Sequence, residues 1–549
     1  MNSIDHIHKD FNAFLERFFE ISPDITAKTS FTLNTDEAKA QFGDINSNAA
    51  MVLANILGKP PMQVAELIAG GFTHEHVKQI ALHPPGFLNI TLTEEALQTL
   101  ARELHDQKKK FFKLVPNATE NINIEFVSAN PTGPLHFGHG RGAIIGDVLA
   151  NVLNFVGQRA TREFYINNAG AQMQKLGNSL FIRCQQAAGL DVTLPEESYH
   201  GDYLIPLAEQ LLNEKGKAVL EEPLSFFSAY AEKAMLEQIK ETLALYGITF
   251  DVWFPETKLH SSGEIDKALE ILHKNGYLYE KDGATWFKAT AFGDDKDRVL
   301  IKEDGTYTYA SADVAYMLDK IDRGFDHLVM ILGHDHHSYL MRLQCIQKAL
   351  GLEQYPLDVI LYQLVKMKQS GERVRMSKRA GNIVTLHDVI ETVGKDVARF
   401  FFLHRKADAQ LEFDLELALK KTDENPVYYV QYAYVRTKSI LQKAAQNEAF
   451  SDITELDAAH IGASEGMLLK KIVALRNILE TICQTKQTHL LTYYVIELAN
   501  LFHSYYSKNR VIDESNIPLS RGRLLLIGVL KDTFETILSL LGISLPERM

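Results

Sequence analysis

Apolar residues recur with helical spacing from Ile4 to Phe19, which predicts an amphipathic helix at the start of the chain. A second helix, carrying Ala49, Met51, Val52, Leu53, Ile56 and Leu57, ends near Gly58. Pro60 and Pro61 open a third, to Ile68. Phe87-Leu88-Asn89-Ile90-Thr91-Leu92 alternates like a half-buried strand, and a helix from about Thr93 to Gln107 follows. Lys108-Lys109-Lys110 reads as a solvated connector. The expectation is an α+β module over residues 1–115.

The pattern then changes. An apolar run of strand length around Ile124-Glu125-Phe126-Val127 breaks at Pro131, Gly133 and Pro134. It reopens at Gly138 into a helix carrying Ala143, Ile144, Val148, Leu149, Val152 and Leu153. Strand, tight turn and helix begin a parallel α/β unit, and Ala160 to Ile166 reads as its next strand. After Gly189 the pattern is irregular. Strand signals return at Thr285–Phe287, Val299–Ile301 and His327–Leu332. We expect a nucleotide-binding sheet over residues 116–385, interrupted at about 190–285. From 386 to 549 nearly everything has helical period, with Asn425 as an N-cap and Pro426 as the first helical residue of one helix.

Composition narrows this little. At 549 residues the chain needs more than one core. Its 46% hydrophobic and 23% charged residues are those of a soluble globular protein, and no apolar run is long enough to span a membrane. The N-terminus carries no secretory signal. Cys184, Cys345 and Cys483 are few and scattered, which argues against disulfides and a structural zinc and fits the cytoplasm. The net charge of −13 weighs against non-specific nucleic-acid binding but leaves a local basic patch open.

Candidate chemistry gathers at two places. His136-Phe137-Gly138-His139 lies where a helix begins, so free N–H groups and two imidazoles meet at a phosphate-friendly end. Far downstream, Arg375-Met376-Ser377-Lys378-Arg379 sits in a basic loop bounded by Gly371 and Gly381. In this order the pair resembles the two signatures of class I aminoacyl-tRNA synthetases, with Arg375 where Lys is frequent. The resemblance implies a Rossmann-like α/β catalytic domain with an insertion. It also implies ATP contacts from His136, Gly138, His139, Gly333 and Arg375, Met376, Ser377, Lys378 and Arg379. His136, His139 and Lys378 carry the catalysis.

Glu125 with Asn130, Tyr309 with Asp313, and Asp335 place acidic and polar groups where a pocket should form. Converging carboxylates suit a cationic side chain, and a guanidinium can be held bidentately. Taken singly, Glu125 reads as well as an exposed strand end and Asp313 as a helix cap. Gly43–Asn48, Pro85–Asn89, Tyr199–Tyr203, Tyr307–Asp313, Asp396–Arg399, Asn425–Ala433 and Pro546–Met549 extend the resemblance. Over most of its length the chain resembles the arginyl-tRNA synthetases.

That resemblance puts Glu125, Asn130, Tyr309, Asp313 and Asp335 on the amino acid. It puts Phe87 and Asn89 on the tRNA elbow, and Tyr429, Tyr432 and Met549 on the anticodon loop. It implies an N-terminal tRNA-binding module and a C-terminal all-α anticodon-binding bundle. The partners are ATP, L-arginine and tRNA, with Mg²⁺ on the phosphates, no protein metal site, and a monomer expected. Attack by the tRNA 2′-OH is implied; tRNA-dependent activation belongs to the family picture, and the residues give no sign of it. A different class I synthetase, such as one for cysteine, would be expected to bring thiolate zinc ligands. A small-molecule nucleotidyltransferase would not need the helical region, and a non-catalytic RNA-binding relative would have lost His136, His139 or Lys378.

Overall fold

The computed structural model describes residues 2–114, 119–369, 372–373 and 385–549. Its centre is a five-stranded sheet of β1 (Asn121–Phe126), β2 (Arg159–Ile166), β3 (Val252–Pro255), β4 (His327–Gly333) and β5 (Leu357–Tyr362). The order is β5-β4-β1-β2-β3 and every pairing is parallel. In β1, Ile122, Ile124 and Phe126 are buried on one face, and Asn123 and Glu125 on the other. Burial of both faces is the usual condition of a parallel sheet.

Helix α1 (His139–Val156) crosses from β1 to β2 and is buried along most of its length. Its glycines let it lie close. A Cβ on Gly146 would come within 2.3 Å of the Phe126 ring, and one on Gly142 within 2.6 Å of Tyr362. The chain order reverses between β1 and β4. A crevice opens at such a point, beyond the carboxyl ends of the strands.

Three sequence expectations change here. Thr285–Phe287 and Val299–Ile301 are strands, but they lie in a separate antiparallel sheet whose middle strand, Ala284–Phe287, pairs with Leu278–Lys281 on one side and Arg298–Ile301 on the other. Val252–Pro255, inside the expected interruption, is the edge of the central sheet. The C-terminal third holds a strand as well: Leu411–Asp414 pairs in parallel with Val365–Gln369.

The N-terminal module has a four-stranded antiparallel sheet ordered Phe31–Leu33, Ile45–Ser47, Phe87–Leu92, Val77–His83. Two of these strands have three residues, too few for alternation to be read. Lys108–Lys110 are exposed at the start of a short 3₁₀ turn that Phe111 and Phe112 anchor in the core. Helices α2 (Tyr309–Asp322), α3 (Pro426–Ala444), α4 (Leu490–Lys508) and α5 (Ile517–Leu541) are the others used below. Asn425 caps α3 by accepting from Val427 N–H at 3.0 Å. Arg399, fully buried, fastens the helical region to the sheet. It donates to the Leu541 and Tyr246 carbonyls (2.7 and 2.9 Å) and to Asp147 of α1 (2.6 Å). Among the described residues no helix is long and apolar enough to cross a membrane.

Candidate active site

β1 ends in a strained turn. Val127 and Ser128 have φ of 67° and 41°, a region costly for a β-branched residue. Ser128 Oγ donates to Glu125 Oε1 (3.2 Å) and accepts from Tyr165 N–H (3.2 Å), which holds the turn. Tyr203, from the Tyr199–Tyr203 segment, donates to the Thr132 carbonyl and lies 3.2 Å from where a Gly133 Cβ would be. The chain then enters α1 through His136 and His139. His136 N–H donates to His139 Nδ1 (3.1 Å), and Gly138 N–H to His136 Nδ1 (3.0 Å). A neutral ring accepting at Nδ1 carries its proton on Nε2. The rings stand perpendicular, 6.3 Å apart, at the positive end of α1.

Glu125, Asn130, His136, Gly138, His139, Tyr309, Asp313, Gly333 and Asp335 all line one cavity of about 650 Å³ at the β1/β4 crevice. Asn130, Tyr309 and Asp335 are exposed at its rim. Arg375, Met376, Ser377, Lys378 and Arg379 lie outside the described residues. Their described neighbours do meet the site: Leu364 lines the cavity, Thr385 pairs with His136, and Leu386 N–H donates to the Leu135 carbonyl at 2.8 Å.

The cavity is acidic. Among the described residues, Glu125, Glu256, Asp313 and Asp335 line it against one guanidinium, Arg342. Asp313 accepts from Tyr339 OH (2.6 Å), but Arg342 stands 3.5 Å from its other oxygen, too far for a full hydrogen bond. Burial pushes the Asp313 carboxyl up to about 6, against the pull of Tyr339 and Arg342. Keeping it ionised at neutral pH costs about 3 kcal/mol, which an arriving cation would relieve. Burial also raises Glu256, which shares a hydrogen bond with Tyr165. Glu125 is not the exposed strand end that the sequence also allowed: its Oε2 is paired with Lys320 Nζ at 2.6 Å, both groups buried.

Sequence reasoning missed Tyr165, Glu256, Lys320, Tyr339 and Arg342. Tyr339 and Arg342 are one helical turn apart, a signal that becomes readable only once Asp313 is known to face them.

A second constellation lies on α3 and α4. Arg436 sits over the rings of Tyr432 (4.6 Å) and Tyr506 (5.0 Å) and donates to Tyr432 OH at 2.6 Å. His503 lies 4.9 Å from Tyr429 and 5.8 Å from Tyr432, ring centre to ring centre. Burial, then the Arg436 charge, holds His503 down to about 4, so it is neutral. Tyr432 and Tyr506 are exposed. Phe502, Tyr505 and Tyr434 are buried in the bundle, so the aromatic residues of these helices divide between core and surface. Lys438 pairs with Glu547 at 2.6 Å and brings the last residues, including exposed Met549, onto α3. In the N-terminal module Phe87 is exposed and Asn89 nearly buried.

Three family models match in succession: the arginyl tRNA synthetase N terminal domain at 5–92, the catalytic domain of tRNA synthetases class I (R) at 100–198 and 219–410, and the DALR anticodon binding domain at 430–549. An arginine–tRNA ligase of Geobacillus kaustophilus is 43% identical, and one of Bacillus subtilis 42%, each match covering 92% of both chains. The chain belongs to the arginyl-tRNA synthetases. The arginyl-tRNA synthetase structure from Thermus thermophilus has the same fold at 19% identity, with a TM-score of 0.76 over 98% of this chain and 99% of that one. This arginyl-tRNA synthetase is a class I enzyme whose catalytic domain is the parallel sheet, and the acidic cavity lies within that domain.

Proposed function

We propose that the cavity at the β1/β4 crevice is where this arginine–tRNA ligase binds arginine and ATP. The enzyme joins L-arginine to its tRNA through an arginyl-adenylate and releases AMP and pyrophosphate. One observation carries the assignment of the site: a His turn at a helix N-terminus and a set of buried, under-neutralised carboxylates share a single cavity. The carboxylates suit a guanidinium and the His turn suits phosphates.

In this reading Asp313, Glu125 and Tyr309 hold the side chain of arginine, with Asn130 and Asp335 at the rim. The arginine carboxylate attacks the α-phosphate in line. It is already ionised, so the site needs no nucleophile or strong base of its own; it acts by positioning and charge stabilisation. Nε2–H of His136 and of His139 donates to phosphoryl oxygens as charge grows. Gly138 and Gly333 leave room for the nucleotide. Lys378, flanked by Arg375, Met376, Ser377 and Arg379, clamps the departing pyrophosphate. The 2′-OH of the terminal tRNA adenosine then takes the arginyl group.

Mg²⁺ accompanies the ATP phosphates. The described residues offer one three-ligand cluster, His105, Asp106 and Glu455, and none of the three lines the cavity. Residues 1–115 serve the tRNA elbow through Phe87 and Asn89. Residues 116–385 catalyse, and 386–549 read the anticodon loop through Tyr429, Tyr432 and Met549. The enzyme works as a cytoplasmic monomer. Charging assays with each amino acid in turn, with and without ATP, test the whole reading: ATP-dependent charging by arginine alone is expected, and charging by another amino acid would overturn it.

A further inference from the structure

Lys320 is 2% exposed, on α2 two helical turns beyond Asp313. Lysine is almost never so deeply buried unless paired, and a buried ion pair contributes little net stability compared with apolar side chains of the same volume. Its ammonium reaches Glu125 Oε2 at 2.6 Å and lies 4.2 Å from the centre of the Tyr316 ring. Among the described residues, Lys320 is the one cation within hydrogen-bonding range of Glu125. The neighbouring charges are already matched. Glu163, beside Glu125 on β2, takes two hydrogen bonds from Arg323 (2.6 and 2.9 Å) and one from Tyr316 OH. Arg323 also pairs with Asp319 at 2.6 Å.

Among the described residues, and with Asp335 apart at the exposed rim, that leaves Glu125, Asp313 and Glu256 against Arg342 and the Lys320 behind Glu125, one negative charge in excess. We propose that Lys320 is a positioning residue for the amino-acid substrate: it aims the Glu125 carboxylate and leaves the pocket one cation short of neutrality, the complement of a single guanidinium. The inference rests on reading this cavity as the arginine pocket. With Oε2 held by Lys320 and Oε1 by Ser128, Glu125 is fixed in one orientation before substrate arrives. Orientation fixed in advance is affinity gained without an ordering cost at binding. Lys320 touches no substrate in this arrangement; it acts through Glu125 alone.

A charge cycle tests this, with arginine KM, ATP KM and kcat measured on the full-length enzyme at saturating tRNA. In the wild-type background Lys320→Met leaves a buried carboxylate unpaired and loose, and arginine KM should rise about tenfold while ATP KM stays put. In the Glu125→Gln background Lys320 is itself an unpaired cation that repels the guanidinium. There Lys320→Met should lower arginine KM. A packing role would raise KM in both backgrounds, so the reversal of sign carries the proposal. A rise in both, or no change in either, overturns it. If Lys320→Met alone does not fold, Glu125→Gln against the double variant still decides, because the double variant carries no unpaired buried charge. Asp313→Asn separates the two levels. A raised arginine KM in Asp313→Asn beside an unmoved one in the Lys320 variants overturns only the role of Lys320. An unmoved KM in Asp313→Asn and Glu125→Gln alike overturns the pocket, and the proposal with it.

Discussion

The cavity beside β1 and the aromatic face of α3 and α4 use the same pair of chemistries, guanidinium and its partners, in opposite solvents. At the inner end of the cavity Glu125 and Glu256 are buried, and burial drives the Asp313 carboxyl up to about 6. On the helical face the half-buried guanidinium of Arg436 lies between two exposed tyrosines. The difference bears on selectivity. A small ligand touches few groups, so each must matter, and burial makes each charge count for more. A large polynucleotide offers many contacts, so moderate ones made at the surface suffice.

The sharpest way to break this contrast is at Asp313. In Asp313→Ala the guanidinium loses a desolvated partner, worth about 2–5 kcal/mol, so arginine KM should rise several hundredfold. Steady-state charging across a wide arginine range measures it. An unchanged KM would place the cation elsewhere and leave the cavity no more selective than the helical face.

Lys378→Ala should come next, with kcat for ATP–pyrophosphate exchange falling about a hundredfold, near 3 kcal/mol, by analogy with a lost oxyanion donor. Arginine KM should move far less than in Asp313→Ala. That split distinguishes charge that holds the substrate from charge that meets the transition state. Exchange at the wild-type rate would remove Lys378 from the chemistry.

A third test uses pH. Burial raises the Asp313 carboxyl to about 6, so it is protonated below that pH and ionised above it. A guanidinium binds the ionised form. Arginine KM should therefore be flat above pH 6 and rise as pH falls, about tenfold per unit once well below 6. Glu256, raised by the same cause, acts in the same direction. For stability the sign is opposite: the neutral carboxyl is the form favoured by burial, so its contribution is fully present below pH 3.8 and lost as pH rises through about 6. In Asp313→Asn the KM should be high throughout and the acid limb should shrink to what Glu256 contributes. A wild-type profile without an acid limb would mean that Asp313 does not face the cation.

The two regions also differ in how much of them the sequence disclosed. The His turn was legible because its parts are neighbours: Pro131, Gly133 and Gly138 punctuate one short stretch, and the helix after it keeps its period. Asp313 and Tyr309 were legible through the family resemblance. Lys320, Glu256, Tyr339 and Arg342 were not, because what matters about them is the residue they face across the sheet, at separations local patterns do not reach. Val252–Pro255 stayed hidden for a related reason. Four residues with no alternation are a strand only because Glu163–Ile166 lies beside them. On α3 and α4 the trouble was the reverse. Every tyrosine was visible, but helical period alone does not separate Tyr434 and Tyr505, in the core, from Tyr432 and Tyr506, at the surface.

The smallest expected effect tests the surface half of the comparison. Arg436→Met keeps the length of the side chain and its packing between Tyr432 and Tyr506 but removes the charge. A cation over an exposed ring contributes about 1 kcal/mol, so tRNA KM should rise about fivefold. Arginine KM at saturating tRNA should not change, because Arg436 does not line the cavity proposed for arginine. Arg436 also helps hold His503 down at about 4, after burial, so the same substitution should raise the His503 pKa, which NMR titration of the ring can follow. If the His503 pKa rises while tRNA KM stays at its wild-type value, the charge is reaching its neighbours but not the nucleic acid. The aromatic face would then owe its binding to ring stacking alone. If arginine KM rises instead, the two regions are coupled through the protein, and the buried Arg399 bridge from Asp147 on α1 to Leu541 at the end of α5 is the first place to look for the connection.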